Sequence, residues 1–102
     1  MTELIYGKEL VKAMEYLGRQ EDTIFLGQSM IYPGIAIAQS FKNIPADRRI
    51  EMPVAENLQL GISTGLALTG YVPVSVFPRW NFLLLAGDQL VNHLDKLAMI
   101  TE

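Results

Sequence analysis

The sequence predicts an α/β fold, a mainly parallel sheet with helices on both faces in a three-layer α/β/α arrangement. Three observations point there. Short apolar runs alternate with longer stretches of helical periodicity, the pattern of βαβ units. The run at 72–77 is nearly continuous in apolar and β-branched residues, as a strand covered on both faces is. Gly and Pro punctuate the joins, and no repeat, linker or low-complexity stretch interrupts the alternation.

The elements follow in chain order. Residues 8–17 read as a helix, with Leu10, Val11, Met14 and Leu17 on one face and Gly18 as the stop. Residues 23–27 read as a buried strand ending in Gly27. After the Pro33-Gly34 turn, residues 35–41 read as a second, short helix. Residues 49–54 form a possible strand, with Pro53 near its end because proline lacks an N–H. A helix over 56–69 places Leu58, Ile62, Leu66 and Thr69 along one side. Gly61 and Gly65 share a face of it and predict close approach by another backbone or a ligand, since each costs about 1 kcal/mol relative to Ala there. Gly70 closes this helix, and 72–77 is the third strand. A long helix over 81–99 carries Leu83, Gly87, Leu90, Leu94 and Leu97 in one stripe.

Composition narrows the partners. With 102 residues the chain is at most one domain. Half of the residues are hydrophobic, and 8 Gly come on top of that. Small domains bury a smaller fraction of their surface than large ones, so the apolar surplus predicts cover from a partner or from further chain. Lipid is excluded as that cover. The longest apolar run, 82–87, is far shorter than the roughly 20 residues of a spanning helix. Residues 1–6 carry no basic start and no apolar leader, and the chain has no Cys, so a cytoplasmic location is expected. The net charge of −3 leaves no basic stripe for nucleic acid. No G-x-G-x-x-G, Walker loop or G-x-S-x-G is present.

Ligands of open parallel sheets bind at the carboxyl ends of the strands, so the candidate site segments are 27–32, 53–57 and 77–82. Glu56 opens the glycine-containing helix. The helix dipole alone favours a Glu there by roughly 0.3–1 kcal/mol, so its position by itself is unspecific. Phe77, Trp80 and Phe82 cluster after the third strand, either as core and loop aromatics or as a platform for a flat heterocycle. Arg79 lies between them, solvated or paired with an anion. Asp88 reads as a helix-surface charge. His93 has no acid or nucleophile at a triad spacing and reads as surface or interface.

Taken together, several segments resemble thiamine-diphosphate enzymes. Met52-Pro-Val-Ala-Glu56-Asn-Leu-Gln-Leu-Gly61 resembles their "P-[IL]-[SA]-E-x-x-[FI]-x-G" segment. Gly65-Leu-Ala-Leu-Thr-Gly70-Tyr-Val-Pro73-Val is similar to their "G-x-A-x-x-G-x-x-P" passage. Phe77-Pro-Arg-Trp-Asn81-Phe82 with Asp88-Gln89-Leu-Val-Asn92 resembles "F-x-x-F-N-F-…-D-Q-x-x-N". The register from Glu56 to Asn92 needs no gap. The resemblance is strongest to the beta subunit of 2-oxo acid dehydrogenases of the pyruvate and branched-chain type, and weaker to transketolase and deoxyxylulose-phosphate synthase.

The resemblance implies that residues 1–102 are part of a transketolase-like pyrimidine-binding domain of the thiamine-diphosphate-binding fold. It implies thiamine diphosphate as cofactor and a 2-oxo acid as substrate. The Glu56 carboxyl would be the catalytic group, hydrogen-bonding a ring nitrogen of the aminopyrimidine so that the exocyclic amine becomes a useful base. Phe82 would pack on the pyrimidine ring, with Val54 and Phe77 lining the same pocket. The Gly-Asp-Gly metal motif is absent, so Mg²⁺ and the diphosphate would be held by a partner: an alpha subunit or a domain outside this chain, in a homo- or hetero-oligomer. The chain alone is therefore expected to be inactive. Gln28 and Ser29 stand where the family carries acids after Gly27, and Pro78 and Arg79 also depart from its pattern. Three other readings stay open: a transketolase-type enzyme fragment, a truncated, non-catalytic interaction and oligomerisation module, and an unrelated flavodoxin-like binding domain.

Overall fold

The most apolar short run of the first half, Thr23–Gly27, forms the central strand β1 of a three-stranded sheet. The computed structural model of the protein describes residues 2–32 and 36–100. Before β1 comes helix α1 (Thr2–Gly18), and after it a 3-10 helix, Ala36–Phe41, and a 3-10 turn, Ala46–Arg48. Strand β2 (Arg49–Glu51), helix α2 (Glu56–Leu68) and strand β3 (Val72–Val76) follow. The order is β2-β1-β3, and both pairings are parallel.

Register assigns the two faces. Phe25 lies beside Val74, and Leu26 beside Ser75. Successive side chains of a strand point to opposite faces, so these pairs look in opposite directions. The Phe25 face is covered by α1 and the first 3-10 helix. There Phe25, Met30, Phe41, Ile44 and Val76 form the core, with Met14 and Leu17 of α1 packed against it. The Phe25 and Phe41 rings meet edge to face with centroids 5.7 Å apart, a geometry that adds about 0.5–1.5 kcal/mol to burial. Helix α2 covers the Ser75 face. The sheet is thus layered on both sides, as the sequence predicts.

Arg48 fastens the turn from α1 to β1. Its Nε donates to Thr23 O at 2.8 Å and its Nη1 to Gly18 O at 3.1 Å. The backbone of Gly27 reaches the end of β3 so closely that a Cβ there would stand 2.5 Å from Val76 O, and only glycine fits.

Several elements differ from the sequence expectation. Helix α1 starts at Thr2 rather than at residue 8, while its packed face is the expected one. The short helix expected at 35–41 is a 3-10 helix from Ala36; Ile35 and the Pro33-Gly34 turn lie outside the described residues. Strand β2 ends at Glu51 rather than at residue 54. Met52 N–H still reaches Gly27 O at 2.9 Å, but Pro53 has no N–H to continue the ladder. Strand β3 is an edge strand with Val72 exposed, not a strand buried on both faces, because nothing pairs beyond it among the described residues.

Helix α2 turns the unexpected face inward. Glu56, Gln59, Leu60 and Ser63 are buried, whereas Leu58 and Ile62 face out. The sheet ends below it present carbonyls that need a donor, and Gln59 supplies one. Gly61 does admit a close neighbour, the Gln89 side chain, 3.5 Å from where a Cβ would sit; nothing described lies within 4 Å of that point on Gly65.

The long helix expected over 81–99 is instead three pieces: a 3-10 helix Trp80–Ala86, a π-helix Asp88–Leu94 and a short α3 (Leu97–Ile100). Only Ala86 of this segment is buried. Helical regularity comes mainly from packing an apolar face, and this segment meets only α2, leaving most of its apolar side chains uncovered among the described residues. Among the described residues no helix is long and apolar enough to cross a membrane.

Candidate functional site

The carboxyl ends of the three strands converge at 27–32, 53–57 and 77–82, the segments marked by the sequence. Beyond β1 the chain turns at Ser29, whose φ of 62° is a left-handed conformation rare for residues other than glycine. Strand β2 holds that turn. Glu51 Oε2 accepts the Ser29 N–H at 2.9 Å and Oε1 accepts the Ile31 N–H at 3.0 Å. Arg49 Nη1 donates to Met30 O at 2.8 Å. Three residues of strand are enough here, because two of their side chains act as clamps.

Beyond β2 the connection runs to α2. Glu56 stands in the first turn of that helix and is 6% exposed. Among the described residues, no hydrogen bond or ion pair engages its carboxyl group. Its oxygens are not among the fully enclosed unpaired atoms, so the carboxyl tip reaches solvent while the rest of the side chain is covered. One turn on, Gln59 is buried. Its Nε2 lies 2.9 Å from Ser75 Oγ, 3.0 Å from Val76 O and 3.3 Å from Leu26 O, and so ties the ends of β1 and β3 together beneath Glu56.

Beyond β3, Phe77 and Pro78 are half-buried and Trp80 is 87% exposed. The Arg79 guanidinium lies 5.6 Å from the centroid of the Phe82 ring. A cavity of about 490 Å³ opens between this loop and the β1 loop, lined by Gln28, Ser29, Ile37, Pro78, Arg79 and Phe82, with Ala36. The structure therefore brings Phe82 and Arg79 to the Gln28–Ser29 turn. Glu56 and Phe77 are not among the lining residues, and Val54 is 78% exposed on the β2–α2 connection. Trp80 forms no wall of this cavity.

The start of the π-helix is tied to the Glu56 turn. Asn57 Oδ1 accepts the Gln89 N–H at 3.1 Å. Asp88 Oδ1 accepts from Asn92 Nδ2 at 3.1 Å, and Asp88 Oδ2 lies 3.4 Å from His93 Nε2. The Asn92 hydrogen bond leads the causes that hold the Asp88 carboxyl below its ordinary range. Among the described residues no group of three or more His, Asp or Glu side chains could hold a metal ion.

Sequence reasoning missed Arg49, Glu51 and Gln59. The first two carried a signal: charged residues at alternate positions of a predicted strand must point to one face together. Gln59 carried another, since it falls one turn after Glu56 on the same side of the helix.

Comparison with known proteins gives a consistent result. The chain is 47% identical over 51 residues to the 3-methyl-2-oxobutanoate dehydrogenase subunit beta of Mycobacterium tuberculosis, covering 50% of this chain and 15% of that protein. It is 29% identical over 101 residues to the pyruvate dehydrogenase E1 component subunit beta of Gracilaria tenuistipitata var. liui, covering 95% of this chain and 31% of the relative. It is 31% identical over 83 residues to the mitochondrial pyruvate dehydrogenase E1 component subunit beta of Drosophila melanogaster, covering 78% and 23%. No family model matches the chain. By sequence the chain is similar to the beta subunits of 2-oxo acid dehydrogenases. More narrowly, the chain is a partial beta-subunit-like domain, spanning less than a third of the length of these relatives.

Proposed function

We propose that the chain is the pyrimidine-binding component of a thiamine-diphosphate-dependent 2-oxo acid dehydrogenase, active only when a diphosphate-binding partner completes the site. The observation that carries this reading is Glu56: a side chain only 6% exposed whose carboxyl tip has no protein partner among the described residues and stays open to a ligand, at the carboxyl end of a parallel sheet. A ring nitrogen of an aminopyrimidine is a hydrogen-bonding partner of the kind it lacks.

When bound, thiamine diphosphate supplies the electron sink for decarboxylation of the 2-oxo acid. The work of this chain is to place and protonate. The Glu56 carboxyl would hydrogen-bond the ring nitrogen of a bound aminopyrimidine, and the ring itself would displace water from the carboxyl tip. Gln59 holds the strand ends beneath it and so fixes its height above the sheet. Phe82 offers a flat apolar surface at the cavity, and Phe77 and Val54 extend that wall once a partner covers them. The diphosphate and Mg²⁺ belong to the alpha subunit or another domain.

A Glu56→Ala variant in the assembled enzyme should keep the fold and lose turnover by about 10²–10⁴-fold, the usual contribution of a positioned acid or base. Turnover equal to wild type, with circular dichroism unchanged, would overturn the role of Glu56. The outward-facing side chains of Leu84, Leu85 and Val91 favour a second reading, a non-catalytic module that docks on other subunits. It differs in predicting no cofactor binding with any partner.

A further inference from the structure

We propose that Glu51 is a positioning residue for the candidate site: by holding the 28–31 turn in a left-handed shape, it builds the wall of the cavity that faces Phe82. The role rests on the cofactor reading above, because Phe82 is the surface proposed there for the pyrimidine ring. The cavity of about 490 Å³ is lined by Gln28 and Ser29 of the β1 turn and by Pro78, Arg79 and Phe82 after β3. Among the described residues Ser29 is the one residue other than glycine with a positive φ.

Its φ of 62° is a conformation that glycine takes freely and serine does not. The sequence puts no glycine there; it puts an acid on the neighbouring strand. Glu51 pairs with Gly27 at the last rung of the β1–β2 ladder, beside the start of the turn. Its Oε2 accepts the Ser29 N–H at 2.9 Å and its Oε1 accepts the Ile31 N–H at 3.0 Å. Hydrogen bonds to a carboxylate are charge-assisted and roughly twice as strong as neutral ones. The two bonds span the backbone of Ser29 and Met30, so they fix the peptide groups on either side of that pair. A sparsely populated conformation persists where its surroundings over-determine it in this way.

The contact serves the cavity more than the core. Met30 is 1% exposed within the core, and its carbonyl accepts from Arg49 Nη1 at 2.8 Å, so the middle of the turn is anchored without Glu51. What Glu51 adds is the setting of Ser29, which lines the cavity and lies outside the core cluster. Among the described residues Glu51 forms no ion pair, and its only hydrogen bonds are those to the turn. It is not among the residues that line the cavity, so it acts through the turn and not by touching a bound ring.

The test is calorimetric titration of the assembled enzyme with thiamine diphosphate and Mg²⁺, for wild type, Glu51→Gln, and Glu51→Gln combined with Ser29→Gly, with urea unfolding of each. Glutamine keeps one accepting oxygen and turns an NH₂ toward the other backbone N–H. The turn then spends only part of its time in the binding shape, and affinity should fall about tenfold. Glycine at 29 takes the left-handed shape unaided, so the double variant should bind within about threefold of wild type. Unchanged affinity in Glu51→Gln, with only the urea midpoint lowered, would show a merely stabilising role and overturn the proposal while leaving the cofactor reading intact. A loss of affinity that glycine does not recover would overturn it in the same way. No heat with wild type would overturn the cofactor reading itself, and the role of Glu51 with it. Where Glu51→Gln alone does not fold, the double variant must still fold and bind, and its failure to do so overturns the proposal.

Discussion

Around Phe25, apolar side chains from α1, β1, β3 and the first 3-10 helix close on one another, and Phe25 itself is wholly buried. Residues 80–100 hold six leucines, yet Leu84, Leu85, Val91, Met99 and Ile100 face outward. The first region has regular elements. The second passes through 3-10, π and α geometry within 21 residues, counting from Trp80 to Ile100. Runs of 3-10 helix beyond three or four residues are uncommon, and π-helix is rarer. The difference teaches that helical periodicity becomes a regular helix where there is a surface to pack against. Residues 80–100 touch α2 but keep much of their apolar surface uncovered among the described residues.

The largest effect should separate the two regions outright. Phe25→Ala should cost about 3–5 kcal/mol in urea unfolding, as truncation of a sealed core aromatic does. Leu84→Ala, at a position 79% exposed, should stay within about 0.5 kcal/mol. Equal costs would break the contrast by showing that residues 80–100 are packed in solution.

A smaller effect sharpens it. Gln59→Leu removes the donor shared by the Leu26 and Val76 carbonyls and should cost about 1–3 kcal/mol, again by urea unfolding. A stability gain would mean that α2 can turn Leu58 and Ile62 toward the sheet, as the apolar pattern alone suggests.

The smallest effect lies in the π-helix. The folded state holds the Asp88 carboxyl below its ordinary range, chiefly through Asn92. Its contribution is therefore present above the unfolded value, near pH 4, and is lost as pH falls through the depressed folded value. Amide protection factors at 88–94, corrected for the intrinsic exchange rate, should fall in that acid range before those of the Phe25 core do, and Asp88→Asn should remove the pH dependence. A core that loosens first would contradict the assignment.

Much of the fold was legible in the sequence for physical reasons. The strand 23–27 and the packed face of α1 were read correctly, because apolar runs and helical spacing report directly on burial. The inward face of α2 was not, because hydrophobicity does not register a glutamine whose two amide hydrogens are shared among acceptors at the strand ends. The broken 80–100 segment was not, because periodicity describes what a segment can pack, not what is there to receive it. At the candidate site, Glu56 stood out through its place in a motif. Arg49 and Glu51 act through register across β2, and their partners in the 29–31 turn lie about 20 residues away, beyond the reach of local pattern.

The central claim is that the unpartnered Glu56 carboxyl awaits a cofactor ring that a second chain helps to hold. Calorimetric titration of thiamine diphosphate with Mg²⁺ tests it most directly, on wild type and Glu56→Gln, each with and without a diphosphate-binding partner chain. The account predicts heat only when the partner is present, and affinity about tenfold or more weaker in the variant. No heat under any condition, or undiminished affinity in Glu56→Gln, would contradict it.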